Sequence, residues 1–285
     1  MLVTGCSTGI GLASALLLKR SGYPVIATAR DATSIASLDA AGLNPVALEL
    51  ADQESIRLAA SSVIHTAPTL RAVFLNAGYA AAGAIEDLPT GTWAHQFQVN
   101  LFGHLELLRL LMASGALGPG SRIVWCSSIL AITPMPNRAA YAASKAAMEA
   151  VADAQRIELA HRGIHVSLIQ PGPILTSFRR NSLKSLLGSV DVHASPYAKA
   201  YAATVSRLSK EGAASPGTLP PEAVAEALLR AVESPSPRHR YPVTRNTKVM
   251  AWMKRLLPSP MLDRVIARAA GLEALPPIQA KKNPL

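Results

Sequence analysis

Short apolar runs alternate with stretches of helical periodicity along most of this chain. Residues 2–4, 24–29, 44–50, 71–75, 121–126 and 164–169 read as strands, and 238–243 as a seventh. Between the first two, Leu12, Leu16 and Leu17 mark a helix that stops at Ser21-Gly22. Further helices start at Asp31 and near Asp52, whose carboxylates suit an N-cap, and residues 92–116 and 139–162 are helical in pattern. Strands separated by crossover helices build a parallel sheet, so the expected fold class is α/β: a single-domain, doubly wound parallel sheet of about seven strands with helices on both faces. Ligands of such sheets sit beyond the carboxyl ends of the strands. The unusual residue clusters of this sequence fall at those ends.

Composition agrees with that layout. With 49% hydrophobic, 16% charged and only 5% aromatic residues, the 285-residue chain must build a core from Ala, Val, Leu and Ile, which suits helices packed closely on a parallel sheet. Two cysteines, Cys6 and Cys126, provide neither a disulfide framework nor a metal cluster, and a reducing compartment is the simpler expectation. No uninterrupted apolar stretch of about 18 residues is present, so no spanning helix is expected. The formal charge of +10 suggests nucleic acid until its distribution is read. From residue 238 onward there are ten Lys/Arg and two acidic residues, a net of +8, which leaves +2 for residues 1–237. The body is nearly neutral, the tail is basic, and no nucleic-acid motif accompanies it.

Glycines stand at 5, 9 and 11 in Thr4-Gly5-Cys6-Ser7-Thr8-Gly9-Ile10-Gly11, between the first strand and its helix. Gly5 permits a tight turn, Gly9 lets backbone approach a pyrophosphate, and Gly11 lets the helix pack on the strand, while the helix N-terminus offers N–H donors. Arg30 directly follows the second strand, with no acid at Ala27 to Ala29. An acid there would hold the ribose 2′-hydroxyl of NAD; an arginine accommodates the 2′-phosphate of NADP. The alternative is a solvated Arg30 paired with Asp31.

Tyr141 and Lys145 are four residues apart, thirteen and seventeen positions after Ser128 (141 − 128, 145 − 128). On a helix that spacing puts the phenol and the ammonium on one face, where the cation favours the phenolate. A hydride arriving at a carbonyl carbon leaves an alkoxide that must be hydrogen-bonded and protonated, and these groups can do both. Ser127 competes with Ser128, but its one-residue offset points it to the other side of the strand.

The glycine turn, Asn76-Ala77-Gly78, Asn100, Ser128, Tyr141-x-x-x-Lys145 and Pro171-Gly172-Pro173-x-x-Thr176 occur in the order of the short-chain dehydrogenase/reductase family, which residues 2–245 resemble. Within it, the chain looks like the branch holding hydroxysteroid and retinol dehydrogenases, and like uncharacterised bacterial homologues with basic C-terminal extensions. The resemblance implies a Rossmann fold, an NAD(P)-dependent oxidoreductase, and a homodimer or homotetramer. It implies Tyr141 as general acid or base, Lys145 depressing its pKa and holding the nicotinamide ribose, and Ser128 polarising the substrate oxygen. Asn100 would hold a helix kink and a water relaying protons to Lys145. The cofactor contacts implied are Gly5, Ser7, Thr8, Gly9, Ile10, Gly11, Arg30, Glu49, Asn76, Ala77, Gly78, Tyr141, Lys145, Pro171, Gly172, Ile174 and Thr176, with NADP preferred and NAD the alternative. Glu49 stands where the family places an aspartate against the adenine, and Asn76 reads as structural. No metal site is expected. His95 and His104 flank Asn100 and read as helix-surface residues.

The substrate is expected to be a hydrophobic alcohol or carbonyl compound, because residues 129–136, between Ser128 and Tyr141, are apolar and include Met135. Residues 174–220 break the strand–helix rhythm and read as a long irregular, lid-like insert with short apolar helical pieces such as 183–187. Residues 1–245 form the expected catalytic domain and 246–285 a basic amphipathic extension, suited to packing on the protein or to peripheral contact with an anionic membrane. The rival functions are a non-catalytic NADP-binding sensor and a membrane-recruited interaction protein. A cytoplasmic location is expected, no secretory signal being read before the motif that begins at Thr4. With three residues before Thr4, the first strand is short: either the start lies upstream, or this edge of the fold is weakened.

Overall fold

The computed structural model describes residues 1–210, 212–213 and 215–270. Seven parallel strands, β1 (Leu2–Val3), β2 (Ile26–Ala29), β3 (Asn44–Ala47), β4 (Ala72–Leu75), β5 (Arg122–Cys126), β6 (His165–Gln170) and β7 (Arg240–Pro242), form one sheet in the order β3-β2-β1-β4-β5-β6-β7. Strand order reverses between β1 and β4, and a crevice outside their carboxyl ends is where such a sheet binds its ligands. The short β1 is no edge. It pairs with β2 and β4 in register Leu2↔Ile26 and Leu2↔Val73, and both its residues are buried.

Each central strand sends alternate side chains to opposite layers, as the two-residue strand period requires. Leu2, Val73, Leu75, Ile123 and Trp125 join one core with α3 (Gln53–Thr66), α5 (Gly103–Ala113) and α7 (Ala139–Glu158). Val3, Phe74, Val124 and Cys126 join the other with α1 (Gly9–Arg20), α2 (Ala32–Ala40) and α10 (Glu222–Glu233). The largest side chain inside, Trp125, satisfies its indole by donating to Gln155 Oε1 at 3.0 Å. Helix starts follow the sequence: Asp31 accepts from the Ser34 amide at 2.8 Å and Asp52 from the Glu54 amide at 2.9 Å.

Two stretches differ from expectation. Residues 92–116 are not one continuous α-helix. The chain runs from α4 (Thr90–Phe97) through a π-helical turn (Gln98–Phe102) into α5, and that wide turn surrounds Asn100. The insert is more regular than expected: α8 (Phe178–Ser189), which extends the helical piece at 183–187, and α9 (Ala198–Ser209) form within it. Leu186, Tyr201 and Leu208 from these helices bury against Ala82 and Ala84 in a small core separate from the two main ones. The remaining helices are α6 (Ile129–Ile132), α11 (Arg245–Leu256) and α12 (Ser259–Ala270). Residues 271–285 of the basic extension lie outside the described residues.

Candidate active site

The glycine turn is shaped by backbone contact. Gly5 takes φ +72°, and a Cβ there would stand 2.7 Å from the Ala77 Cα, so β1 and β4 meet with no space for a side chain. A Cβ on Gly11 would collide with the Gly5 carbonyl, which keeps the start of α1 pressed on the turn. Thr4 and Asn76 stitch this corner: Thr4 Oγ1 accepts from the Asn76 amide at 2.9 Å and the Ala77 amide at 3.0 Å, and Asn76 Nδ2 donates to the Thr4 carbonyl at 2.9 Å. Asn76 is therefore structural, as its position suggested. Ser7 and Thr8 are exposed on the turn, and Thr8 Oγ1 lies 2.9 Å from Ser177 Oγ at the entry to α8. Thr176, beside it, would be 3.0 Å from a Cβ on Gly9. The segment from Pro171 to Thr176, with Gly172 and Ile174, thus leaves β6 and passes over the turn.

Arg30 and Glu49, at the ends of β2 and β3, face one another at 3.5 Å, with the guanidinium side chain 75% exposed. Asp31 is instead committed to capping α2. The expected competition for Arg30 comes from Glu49, which also holds the Ala51 amide at 3.0 Å. The cradle fits a dinucleotide: glycines where a Cβ would close it, a start of α1 with no side-chain cap among the described residues, and a solvent-facing cation, Arg30, at the end of β2.

At the other end, Ser128 lies two residues beyond β5 and caps α6, its Oγ accepting from the Leu130 amide at 3.1 Å. Ser127 points the other way and donates to Glu149 Oε1 at 2.7 Å, as its offset predicts. Tyr141 is buried among Ala80, Leu130 and Ala142, with Ile129, Met135 and Phe178 against them. The apolar 129–136 segment thus does lie beside Tyr141, through Ile129, Leu130 and Met135. The Phe178 ring meets Tyr141 edge-on at 5.5 Å, a contact from the insert that sequence spacing alone does not reveal.

The phenol is pushed above its ordinary value by burial, and hydrogen bonding from Ser128 pulls the other way. The expected lowering by Lys145 is not among the effects acting on the phenol, whose other charged neighbour is Arg138. Lys145 is on the same helix face, its Nζ 5.8 Å from the Tyr141 ring centre, but the ammonium donates to the Cys126 carbonyl at 2.6 Å. Burial lowers the pKa of Lys145 itself.

Asn100 lies in the π-helical turn, as the expected kink requires. Its amide bridges to the Tyr79 backbone, accepting from N–H and donating to C=O at 3.1 Å each, and donates to Ser144 Oγ at 3.1 Å. These bonds fix the Gly78–Tyr79 loop against α7 one residue from Lys145. His104 is not a surface residue. It is fully buried between Thr4 Oγ1 (3.2 Å) and the Asn100 carbonyl (3.3 Å), and burial lowers its pKa to about 3, with the Lys145 charge second, so the ring is neutral. His95 is exposed, as expected. Among the described residues, no cluster of three or more His, Cys, Asp or Glu could hold a metal ion.

Comparison with known proteins places this geometry. Residues 1–186 match the family described as short chain dehydrogenase. The uncharacterized oxidoreductase YbbO of Escherichia coli K12 is 40% identical over 268 residues, covering 93% of each chain. Human 17-beta-hydroxysteroid dehydrogenase type 1 is 29% identical over 256 residues, 85% of this chain and 76% of its own. The crystal structure of a short chain dehydrogenase from Burkholderia cenocepacia in complex with NADP superposes with a TM-score of 0.65 at 26% identity, over 85% of this chain and 94% of its own. The chain belongs to the short-chain dehydrogenase/reductase family and is an NAD(P)-dependent oxidoreductase.

Proposed function

We propose that this protein is an NADP-dependent oxidoreductase that interconverts a hydrophobic secondary alcohol and its ketone. The observation that carries this reading is Tyr141: a neutral phenol buried in an apolar pocket, with Ser128 beside it and the Lys145 ammonium on the same helix face. A phenol whose pKa is raised is a proton donor at neutral pH, the form that carbonyl reduction needs. Ser128 would hold the substrate oxygen, and Tyr141 would deliver its proton to that oxygen or, in the reverse direction, remove it. Lys145 holds positive charge near the phenol and would hydrogen-bond the cofactor's ribose. Asn100, through Tyr79 and Ser144, keeps the loop and α7 in place.

When bound, the nicotinamide supplies a hydride to the carbonyl carbon or accepts one from the alcohol carbon. Gly5, Ser7, Thr8, Gly9, Ile10 and Gly11 would hold its pyrophosphate. Asn76, Ala77, Gly78 and Glu49 would line the adenine side, and Pro171, Gly172, Ile174 and Thr176 the nicotinamide side. Arg30 would take the 2′-phosphate, exchanging Glu49 for it. The NADP named for the B. cenocepacia structure and the steroid substrate named for the human relative agree with this reading.

The catalytic domain is taken as residues 1–245, with the insert at 174–220 as its substrate-side cover, and the basic extension from 246. A cytoplasmic location and a homodimer or homotetramer complete the proposal. Among the described residues no helix is long and apolar enough to cross a membrane. The extension starts anchored, with Thr244 and Thr247 buried against Gly172. Beyond them Val249, Trp252, Leu256, Met261 and Val265 are exposed among Lys248, Lys254, Arg255, Arg264 and Arg268. This composition supports peripheral contact with an anionic membrane. The test of the main reading is a screen of lipophilic ketones and alcohols with NADPH and NADP, followed at the nicotinamide absorbance. Turnover of some lipophilic pair, faster with NADP(H) than NAD(H), is expected; activity confined to small polar substrates would refute the substrate class.

A further inference from the structure

A second site adjoins the reacting tyrosine. Between the loop before α7 and the insert helix α9 is a cavity of about 40 Å³, lined by Met135, Arg138, Lys199, Thr204, Arg207 and, from the end of α12, Ala270. Three of these side chains are cationic and none of the lining residues is acidic. Arg138 Nη2 is fully buried with no hydrogen-bond partner among the described residues. The charged groups acting on Arg138 are a second cation, Arg207, and the Tyr141 phenol; the one acting on Arg207 is Arg179, again a cation. None of the four basic side chains (Arg138, Arg179, Lys199, Arg207) forms a salt bridge among the described residues.

Burying a guanidinium nitrogen without a partner is unfavourable, and gathering further positive charge beside it more so, unless something supplies the opposite charge. The backbone holds Arg138 there deliberately. Asn137 is the one non-glycine residue with positive φ (+59°) among those described, and its carbonyl is fixed by the Gly83 amide at 2.9 Å. Arg138 is the N-cap of α7, three residues before Tyr141, whose phenol is among the groups acting on its guanidinium.

Resting on the reading of a hydrophobic carbonyl substrate, we propose that Arg138 and Arg207 form a subsite for an oxyanion carried by that substrate. The substrate is then an amphiphile: an apolar body against Met135 and Phe178, its reacting carbonyl at Tyr141, and a carboxylate or phosphate held between the two guanidiniums. Arginine suits either group, because its planar donors match two oxygens at once. The cavity admits a single small oxyanion and little more, a space for roughly three waters by the volume each requires. Lys199, exposed at the rim, adds charge that draws the head group in.

The test is calorimetric titration of the full chain, with NADPH present, using decanoate, decyl phosphate, decanol and inorganic phosphate. At least one alkyl oxyanion is expected to bind ten times or more tighter than decanol, and which one does so separates carboxylate from phosphate. Arg138→Gln and Arg207→Gln should each remove most of that preference. Arg207 lies on the insert, so its variant carries the test if Arg138→Gln fails to fold. Equal affinity for decanol and both oxyanions, a preference that both variants keep, or inorganic phosphate binding as tightly as decyl phosphate would overturn the proposal. Turnover is not read, so a protein that reduced no ketone would still pass or fail here on its own terms.

Discussion

The two ends of the crevice are built in opposite ways. At the glycine turn, backbone meets backbone: Gly5 against Ala77, Gly11 against the Gly5 carbonyl, with Thr4 and Asn76 bonding the two strand ends together. At the tyrosine, side chains from separate segments converge, Ser128 from the cap of α6, Met135 from the following loop, Tyr141 from α7 and Phe178 from α8. The first end is continuous with the main cores; the second is roofed by an insert with its own small core. A cradle made of backbone accepts what every dinucleotide shares. A pocket made of side chains can be changed residue by residue without disturbing the sheet. Cofactor binding and substrate handling should therefore come apart under mutation.

Tyr141→Phe is the strongest way to break that separation. Loss of a positioned acid–base group lowers turnover by about 10²–10⁴-fold. The ring stays among Ala80, Leu130 and Phe178, so NADPH affinity, measured by fluorescence titration, should stay within about twofold. A parallel loss of cofactor binding would mean the two ends are one unit.

Titration of the same hydroxyl gives the next effect. Burial raises the phenol pKa, so at neutral pH it is protonated and ready to donate, while the phenolate needed as base is scarce. Below its pKa the phenolate fraction grows about tenfold per pH unit. Initial rates from pH 6 to 9 should show alcohol oxidation climbing steeply towards alkali while carbonyl reduction stays nearly flat. An oxidation rate already level at pH 7 would mean the cation lowers the phenol after all.

Arg30→Ala addresses the cofactor end alone. The guanidinium is 75% exposed and paired only loosely with Glu49 at 3.5 Å, so its removal should leave stability unchanged. Hydrogen bonds to a charged group contribute about 1.5–3 kcal/mol, so NADPH should bind roughly ten- to hundredfold more weakly and NADH hardly differently. Equal losses for both would remove the 2′-phosphate role from Arg30.

The same contrast explains what could be read from residues in order. Strands, the glycine turn and the Ser128, Tyr141 and Lys145 set are legible because each depends on local spacing or strand-end position. Strand β3 stops at Ala47, short of the expected 50, because Glu49 and Asp52 spend their groups on the Ala51 and Glu54 amides that turn the chain into α3. What escaped depends on partners far along the chain. His104 looks like a helix-surface residue until Thr4, 100 positions away, is found against its ring. Lys145 shares a helix face with Tyr141 as the spacing says, but that spacing does not reveal the Cys126 carbonyl, 19 positions back, that accepts from its ammonium. The Ser-, Ala-, Pro- and Gly-rich composition of 174–220 left only a short helical piece legible at 183–187, whereas two full helices form there around Leu186, Tyr201 and Leu208.

The smallest expected effect tests how the insert is fastened. Tyr201 OH accepts from the Ala84 amide at 2.7 Å and donates to Asp87 Oδ2 at 2.5 Å, and Ser195 donates to the same carboxylate oxygen at 2.7 Å. Tyr201→Phe keeps the ring in its core but strands the Ala84 amide and one of the Asp87 bonds, a local loss of about 1–3 kcal/mol. The insert should open more often, raising the KM of the carbonyl substrate several-fold while the NADPH dissociation constant holds. The insert also touches the glycine turn, but only through its first residues, Thr176 against Gly9 and the exposed Ser177–Thr8 pair. If Tyr201→Phe weakened NADPH as much as the carbonyl substrate, those first residues would move with the rest of the insert, and the two halves of the crevice would not be separable there.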